Sequence, residues 1–508
     1  LQKLMLRSHA NTLLSVRRVT QINVGKNTAG VDKLVEKTPA ARAKLVEQLS
    51  TTQPWRAKPA RRVYIPKANG KLRPLGIPTI IDRCLQAKVK TALEPYWEAK
   101  FEGSSYGFRP GRGCHDAIEK IYRLARPNMR KKWVVDADIK GCFDNIDHQY
   151  LLDTIGPIPG RELIKQWLKA GYVDKDVFHE TEAGTPQGGV ISPLLANIAL
   201  HGMEKALGVK LDSQGHTKGP RAVVRYADDF VIFCESKEDA EQAKNTLKGW
   251  LDNRGLSLSE EKTQIVHLTE GFDFLGFNIR QYKAPLTSKS GFKLLTKPSK
   301  KSVIAIRKKV REIWRQGRGA NVPALIRKLN PIIRGWANYF RTGVAKEIFE
   351  KLDKWMFHKE LCYASRTHPL KPWYWRKERY WGRLNRARQD NWVFGDKQSG
   401  QYLLKFSGVA IRRHIMVIGT HSPDDPRLKE YWKERNKAPV QDLPSKEQRI
   451  AKRQDSLCEK CGATLFNGEL LHIHHVKPKK DGGEDGIHNL RLIHLFCHQQ
   501  VHSKGTSK

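Results

Sequence analysis

Two adjacent carboxylates, Asp228 and Asp229, lie between apolar runs, Val223-Val224 on one side and Phe230 to Cys234 on the other. β-Branched and aromatic residues on both sides predict two buried strands joined by a polar turn. Carboxylates inside a core would be costly, so the turn is where they belong. A solvated hairpin tip would explain such a pair on its own, but a second acidic stretch argues for more. Lys132-Trp-Val-Val-Asp-Ala-Asp-Ile-Lys-Gly-Cys-Phe-Asp-Asn-Ile-Asp147 is an apolar strand that ends in Asp136 and Asp138. Bringing Asp138 beside Asp228 and Asp229 crowds three negative charges, which is unfavourable unless cations sit between them. Two Mg2+ ions about 3.5–4 Å apart are the usual answer, and the chemistry they serve is phosphoryl transfer.

Tyr226-Ala-Asp-Asp229 matches the Tyr-x-Asp-Asp signature of reverse transcriptases, and the Asp138 stretch resembles their other metal-binding motif. The resemblance implies Asp138, Asp228 and Asp229 as the catalytic ligands of two Mg2+ ions. Upstream, Arg61 to Pro78 predicts a hairpin around Asn69-Gly70, with Lys67, Lys71 and Arg73 near its tip. A basic hairpin can be a guarded edge, but its place before Asp138 is similar to the finger region of these enzymes. By that likeness Lys67 and Arg73 hold the triphosphate of a deoxynucleotide, and Ile139 lies against the substrate. Ser105-Tyr-Gly-Phe-Arg-Pro-Gly-Arg-Gly-Cys114 is a glycine-rich basic loop suited to close approach to a nucleic-acid backbone. Phe143, five residues after Asp138, is either a core residue or the aromatic that sits under the sugar and rejects ribonucleotides. Gly184-Thr-Pro-Gln-Gly-Gly-Val-Ile-Ser-Pro193 looks like the template and nucleotide loop, with Gln187 near the incoming base; Ser192-Pro193 reads as an N-cap followed by proline. A helix over Glu238–Arg254, then Leu256–Thr263 and Phe272–Ile279, match the later palm motifs in order, so the likeness covers about residues 1–280.

The elements that must hold these acids belong to a chain of 508 residues, long enough for about three domains. Its net charge of +40 and pI near 9.9 point to a polyanionic partner, since acids would serve mere solubility better. There is no run of 18 apolar residues and no visible signal peptide, so the expectation is a soluble intracellular protein without a membrane partner; the resemblance to reverse transcriptases of bacterial mobile introns implies a cytoplasmic bacterial setting, nucleoid-associated when on DNA. The chain begins at Leu1 rather than Met, which suggests missing N-terminal residues. Residues 1–50 read as helical, broken at Asn27–Gly30. Residues 283–440 hold 37 Lys and Arg against 12 Asp and Glu, a net +25. Apolar residues there follow helical spacing three times: Val303 to Trp314; Ile332 to Phe340, with Asn330-Pro331 as a fresh start; and Ile348 to Met356. Basic faces on such helices would grip a phosphate backbone. Three helices after the palm resemble the thumb, or maturase domain X, of group II intron reverse transcriptases. Pro372-Trp-Tyr-Trp-Arg-Lys-Glu-Arg-Tyr-Trp381 is either a platform for exposed bases or a packed aromatic knot. Ser422–Pro426 and Pro439–Ser445 look like linkers.

Of eight cysteines, five (Cys84, Cys114, Cys142, Cys234, Cys362) are scattered like reduced core thiols and three cluster near the C-terminus. Cys458-x2-Cys461 with His494-x2-Cys497 has the spacing of a structural Zn2+ site. A plain zinc ribbon leaves His474, His475, Asn489, His498 and His502 unused. Their order resembles an HNH nuclease with a ββα-metal site. The likeness implies His475 as general base, Asn489 as its orienter, and His474, His498 and His502 as ligands of one divalent metal. His472 alternates with His474 and competes for the first place. Gln500 is not a ligand type, which is why His494 takes the fourth zinc position.

The expected architecture is α+β: right-hand fingers and palm (1–280), a helical thumb or domain X (283–370), a basic DNA-binding region and linker (371–444), and an HNH module with zinc (445–508). This order looks like a bacterial group II intron-encoded protein. Such a protein binds its intron RNA as a ribonucleoprotein, assists splicing, nicks a target DNA duplex and copies the intron from the nick, as in retrohoming. The rivals are a non-catalytic RNA-binding splicing factor, against which the three acids weigh, and a host-tamed or defence-associated reverse transcriptase, against which the tail weighs. Oligomeric state is not legible in the sequence.

Overall fold

The computed structural model describes residues 1–51, 55–66, 70, 72–212, 217–285, 290–385 and 388–503. Strands β1 (Ala60–Pro66) and β2 (Leu72–Ile77) form the expected antiparallel hairpin, with Pro66 opposite Leu72. Its tip residues Lys67, Asn69 and Lys71 lie outside the described residues. Strands β3 (Trp133–Asp138), β4 (Ala222–Tyr226), β5 (Asp229–Cys234) and β6 (Gln264–His267) make an antiparallel sheet in the order β6-β3-β5-β4.

Successive strand side chains alternate between faces. Val134, Val224, Val231 and Phe233 are buried in one core, and Val135, Ala137, Val223, Phe230 and Ile232 in the other. Cover on both sides is why the strands read as unbroken apolar runs. The same alternation fixes the acids. Asp138 has the parity of Val134, Asp229 that of Val231 and Phe233, and Asp138 pairs with Asp229 across the ladder. The two carboxylates therefore stand side by side on one face, at the end of the sheet.

Helices Ile80–Glu98, His148–Ile155, Ser192–Ala199 and Lys237–Asp252 cover the second core. The first core runs from helix Cys114–Leu124 through a three-stranded sheet (Phe272–Phe274, Phe277–Lys283, Phe292–Pro298) into three thumb helices. These are Lys300–Gln316, Val322–Phe340 and Lys346–Thr367, the three that periodicity predicts. Pro331 does not start a helix as expected; it lies inside the second one. Its exposed position lets the ring face solvent. The Asn330 side chain is tied to Tyr402 O at 2.9 Å and to the Leu404 amide at 2.9 Å, which holds that turn in place.

The aromatic segment forms helix Trp373–Tyr380. Tyr380 and Trp381 are buried against Phe394 and Tyr363, which is the packed alternative, while Trp373 and Tyr374 remain 42% and 72% exposed. The expected second linker is structured: Val440 is buried in a third core with Ile450, Cys458, Leu465, Leu492 and Cys497. In that tail the strands Leu471–His475 and Leu490–His494 pair antiparallel and lead into helix Leu495–Ser503, the expected ββα order. The Arg17–Glu469 ion pair, at 2.6 Å, joins the tail to the N-terminal helix His9–Arg17. No helix among the described residues is long and apolar enough to cross a membrane.

Candidate active sites

The β4–β5 connection is a two-residue turn, Ala227-Asp228, closed by Tyr226 opposite Asp229. Its first residue takes φ 59°, a conformation usually left to glycine. Surrounding contacts hold it there. The Tyr106 amide donates to Arg225 O and the Arg225 amide to Ser104 O, both at 2.9 Å, so the glycine-rich loop lines the outer edge of β4. Arg225 is 1% exposed and donates to Asn197 Oδ1 (2.9 Å) and Ala227 O (3.1 Å), while Asn197 Nδ2 donates to Gly107 O (2.8 Å). A Cβ at Gly107 would stand 2.3 Å from the Ala227 amide nitrogen.

The close approach that these glycines permit is therefore to protein, not to a nucleic-acid backbone. Arg109 is likewise consumed by Glu98, at 2.9 Å with both side chains buried, and a Cβ at Gly111 would meet the Trp432 ring at 2.5 Å. Gly107→Ala is expected to push the Asp-Asp turn aside and slow primer extension on the order of a hundredfold, the usual cost of an ångström-scale misplacement. Single-nucleotide incorporation kinetics check this; a wild-type rate would show that the turn tolerates the shift.

Burial, then the charges of Asp228 and Asp138, push Asp229 up to about 7. Burial and Asp138 also raise Asp228, against the pull of Arg73 and Lys262. The hydrogen bond from Lys262 Nζ to Asp138 Oδ2 (2.5 Å) raises Lys262 in turn. Three carboxylates facing one ammonium leave negative charge in excess, and that donor set fits hard divalent cations. Asp136 stands apart: burial pushes it up to about 6, and it accepts from Gln264 Nε2 at 3.2 Å.

Lys262 and Asn197 are functional candidates that the sequence does not single out. Lys262 is delivered by a main-chain junction, Ser259 N to Asp138 O at 2.8 Å and Lys140 N to Ser257 O at 2.9 Å, which no local motif announces.

Of the residues expected around the nucleotide, Lys67 lies outside the described residues. Arg73 is exposed on β2, near enough to lower Asp228 electrostatically. Phe143 is half-buried, edge-on to Phe108 at 6.1 Å. Gln187 donates to Asp144 Oδ2 at 2.9 Å, and its carbonyl receives the Gly76 amide at 2.7 Å, joining this loop to the finger hairpin. Ile139 is 2% exposed in the second core, so a substrate could meet its backbone but not its side chain. Ser192 is no N-cap: it sits in the first helical turn behind Ile191, and its hydroxyl donates to Pro186 O at 2.9 Å, closing the Gln-Gly-Gly loop.

In the tail the ligand atoms of Cys458, Cys461, His494 and Cys497 lie within 4.8 Å of one another. A Zn2+ tetrahedron with Zn–S bonds of about 2.3 Å spaces its sulfurs about 3.8 Å apart, so the cluster fits. Burial and the neighbouring Cys461 and Cys458 thiols push Cys497 up to about 12, a crowding that a bound cation relieves. His474, His498 and His502 form a second group within 4.8 Å, and His474 Nδ1 is buried without a hydrogen-bond partner among the described residues, as a free ligand nitrogen would be. His472 stays outside this group. His475 Nε2 lies 2.8 Å from Asp485 Oδ1, so Asp485 orients the ring. Lys479 and His475 hold Asp485 down to about 2. The Asn489 side chain makes no hydrogen bond to His475 among the described residues. It receives the Lys477 amide (2.8 Å) and donates to Lys477 O (3.0 Å) and Glu484 O (2.9 Å), pinning the loop that carries Asp485.

Four family models match parts of the chain. Residues 65–279 match the reverse transcriptase (RNA-dependent DNA polymerase) family, 1–49 the N-terminal domain of reverse transcriptase, 303–381 the group II intron maturase-specific domain, and 458–504 the HNH endonuclease family. Group II intron-encoded protein LtrA of Lactococcus lactis subsp. cremoris is 35% identical over 331 residues, 53% of this chain and 55% of LtrA. Protein YkfC of Escherichia coli (strain K12) is 36% identical over 305 residues, 53% of this chain and 80% of YkfC. The chain belongs to the group II intron-encoded reverse transcriptases. It spans 55% of LtrA's length. The acids sit in the reverse transcriptase match, the +25 region of residues 283–440 contains the maturase match, and both metal-ligand groups of the tail fall in the HNH match.

Proposed function

We propose that this chain copies RNA into DNA, binds its own group II intron RNA and assists its splicing, and nicks a target DNA duplex whose free end primes the copying. The observation that carries the reading is the opposed pair Asp138 and Asp229 with Asp228 at the adjoining turn. A retired scaffold has no reason to keep that repulsion. Bound there, two Mg2+ ions would polarise the attacking 3′-hydroxyl and the leaving pyrophosphate of an in-line displacement. The chain's own groups do the rest. Asp138, Asp228 and Asp229 supply ligands, Lys262 offsets their excess charge, and Arg73 faces the triphosphate. Phe143 floors the sugar, and Gln187, held by Asp144, lies beside the base. In the tail His474, His498 and His502 would hold one divalent ion, with His475 as the base that draws a proton from water. Asp485, by fixing the proton on Nε2, leaves Nδ1 as the basic nitrogen. The setting that follows is bacterial cytoplasm, with the protein on DNA during insertion.

RNA binding tests the charge. Affinity for structured RNA is expected to fall on the order of a thousandfold between about 50 and 200 mM salt, the response of six or more released phosphate contacts. Removal of residues 445–508 should leave it little changed. Filter binding across a salt series measures both, and a flat response would mean that the +25 region is not the grip.

A further inference from the structure

We propose that a cavity between the third thumb helix and the aromatic helix that follows it takes an unstacked guanine base of a single-stranded nucleic acid. The cavity is about 550 Å³, with Met356, Phe357 and Leu404 as apolar walls. Trp373 and Trp392 stand at its mouth, nearly parallel at 12° with centroids 6.4 Å apart, and are 42% and 40% exposed. Each ring packs on one side, Trp373 against Trp381 at 5.6 Å and Trp392 edge-on to Phe357 at 5.9 Å, and keeps open area on which bases stack whatever their sequence.

Glu360 supplies the selectivity. Its carboxylate lines the same cavity at 7% exposure. Oε2 accepts from Trp381 Nε1 at 3.0 Å, the carboxylate's one hydrogen bond among the described residues. A buried carboxylate with one donor is short of partners, and burial pushes it up to about 7. Asp353, the other acid of the cavity, is already closed by the Phe406 and Ser407 amides at 2.7 and 2.9 Å. Guanine alone among the bases presents two adjacent N–H donors on one edge; adenine and cytosine present one amino group, and uracil one imide flanked by carbonyls. The surroundings suit the phosphates on either side of such a base: Lys354 borders the cavity, and Lys377 Nζ lies 4.8 Å from the Trp392 ring centre. The two carboxylates are thus exceptions in a region of net +25. The inference rests on nucleic-acid binding, but on neither the polymerase nor the nuclease chemistry.

The test uses the full chain and tryptophan fluorescence. It is titrated with the all-uridine hexanucleotide, with uridine hexanucleotides carrying one central guanosine, inosine, adenosine or cytidine, and with their DNA counterparts. The guanine oligonucleotide is expected to bind about tenfold more tightly than the adenine and cytosine ones in both series, the size of one good paired contact to a base edge, with inosine between. Glu360→Gln keeps an acceptor for Trp381 and should erase the guanine advantage without changing affinity for the all-uridine strand. Trp373→Ala, at a half-exposed site that should not disturb folding, should bring the guanine strand down to the all-uridine level. Equal binding of all four strands by wild type, or a guanine preference that survives Glu360→Gln, overturns the assignment. Failure of every strand to bind would instead remove the nucleic-acid reading beneath it.

Discussion

Asp228→Ala protein is expected to extend a primer on an RNA template at roughly a thousandth of the wild-type rate or less, a loss typical of groups that act as one unit. The turn places Asp228 beside the Asp138–Asp229 pair, so its removal takes away a ligand that no neighbour can replace. The basic surfaces of the thumb are untouched, and affinity for structured RNA should hold within a few-fold. Asp136→Asn is the matched control. Asp136 shares the face of Asp138 two residues away, but it is paired with Gln264 rather than with the triad, so extension should stay within a few-fold of wild type. Steady-state extension by the two proteins beside RNA-binding titrations decides the matter. Near-normal extension by Asp228→Ala would sink the assignment of the site, and a collapse with Asp136→Asn would move the site one step along β3.

The acids were legible because strand parity is written in the chain. Val134, Asp136 and Asp138 fall on one face by alternation alone, and the apolar run after Asp229 announces its partner strand. The three thumb helices were legible for the same reason, through helical spacing of apolar residues. What the sequence hides is the identity of a neighbour. Gly107 signals that something comes close, but not that it is the Ala227 backbone. Lys262 reaches Asp138 through main-chain bonds between segments more than a hundred residues apart, and a lysine in Ser-Glu-Glu-Lys-Thr looks like any surface residue. Pro331 misleads because proline usually opens a helix, whereas here tertiary bonds from Asn330 carry the helix past it. Asn489 is expected to orient His475 directly; in the structure its side chain bonds to Lys477 and Glu484, and the hydrogen bond to His475 comes from Asp485.

The tail should separate a metal that folds from a base that reacts. Cys458 and Cys497 are buried in the tail's own small core, beside residues such as Ile450, Leu465 and Leu492. A domain of that kind draws its stability from metal binding, typically about 10–16 kcal/mol in small zinc modules. Cys461→Ala, which removes one ligand from the four-atom cluster, is therefore expected to release zinc, melt residues 445–503 and abolish nicking of a DNA duplex through disorder. His475→Ala should abolish nicking as well, with zinc content and fold retained, because His475 belongs to neither metal-ligand group and bonds instead to Asp485. Asp485→Asn should fall between wild type and His475→Ala, since the base survives but loses its orientation. Reverse transcription should be spared in all three, its acids being held by two cores that share no residue with the tail's. Metal content, amide-exchange protection of the tail and nicking rate, measured together on each protein, distinguish the two roles. Nicking at the wild-type rate by His475→Ala, or loss of zinc from it, would reduce the tail to a binding ribbon; nicking by zinc-free Cys461→Ala would show that the four-ligand cluster does not hold the fold.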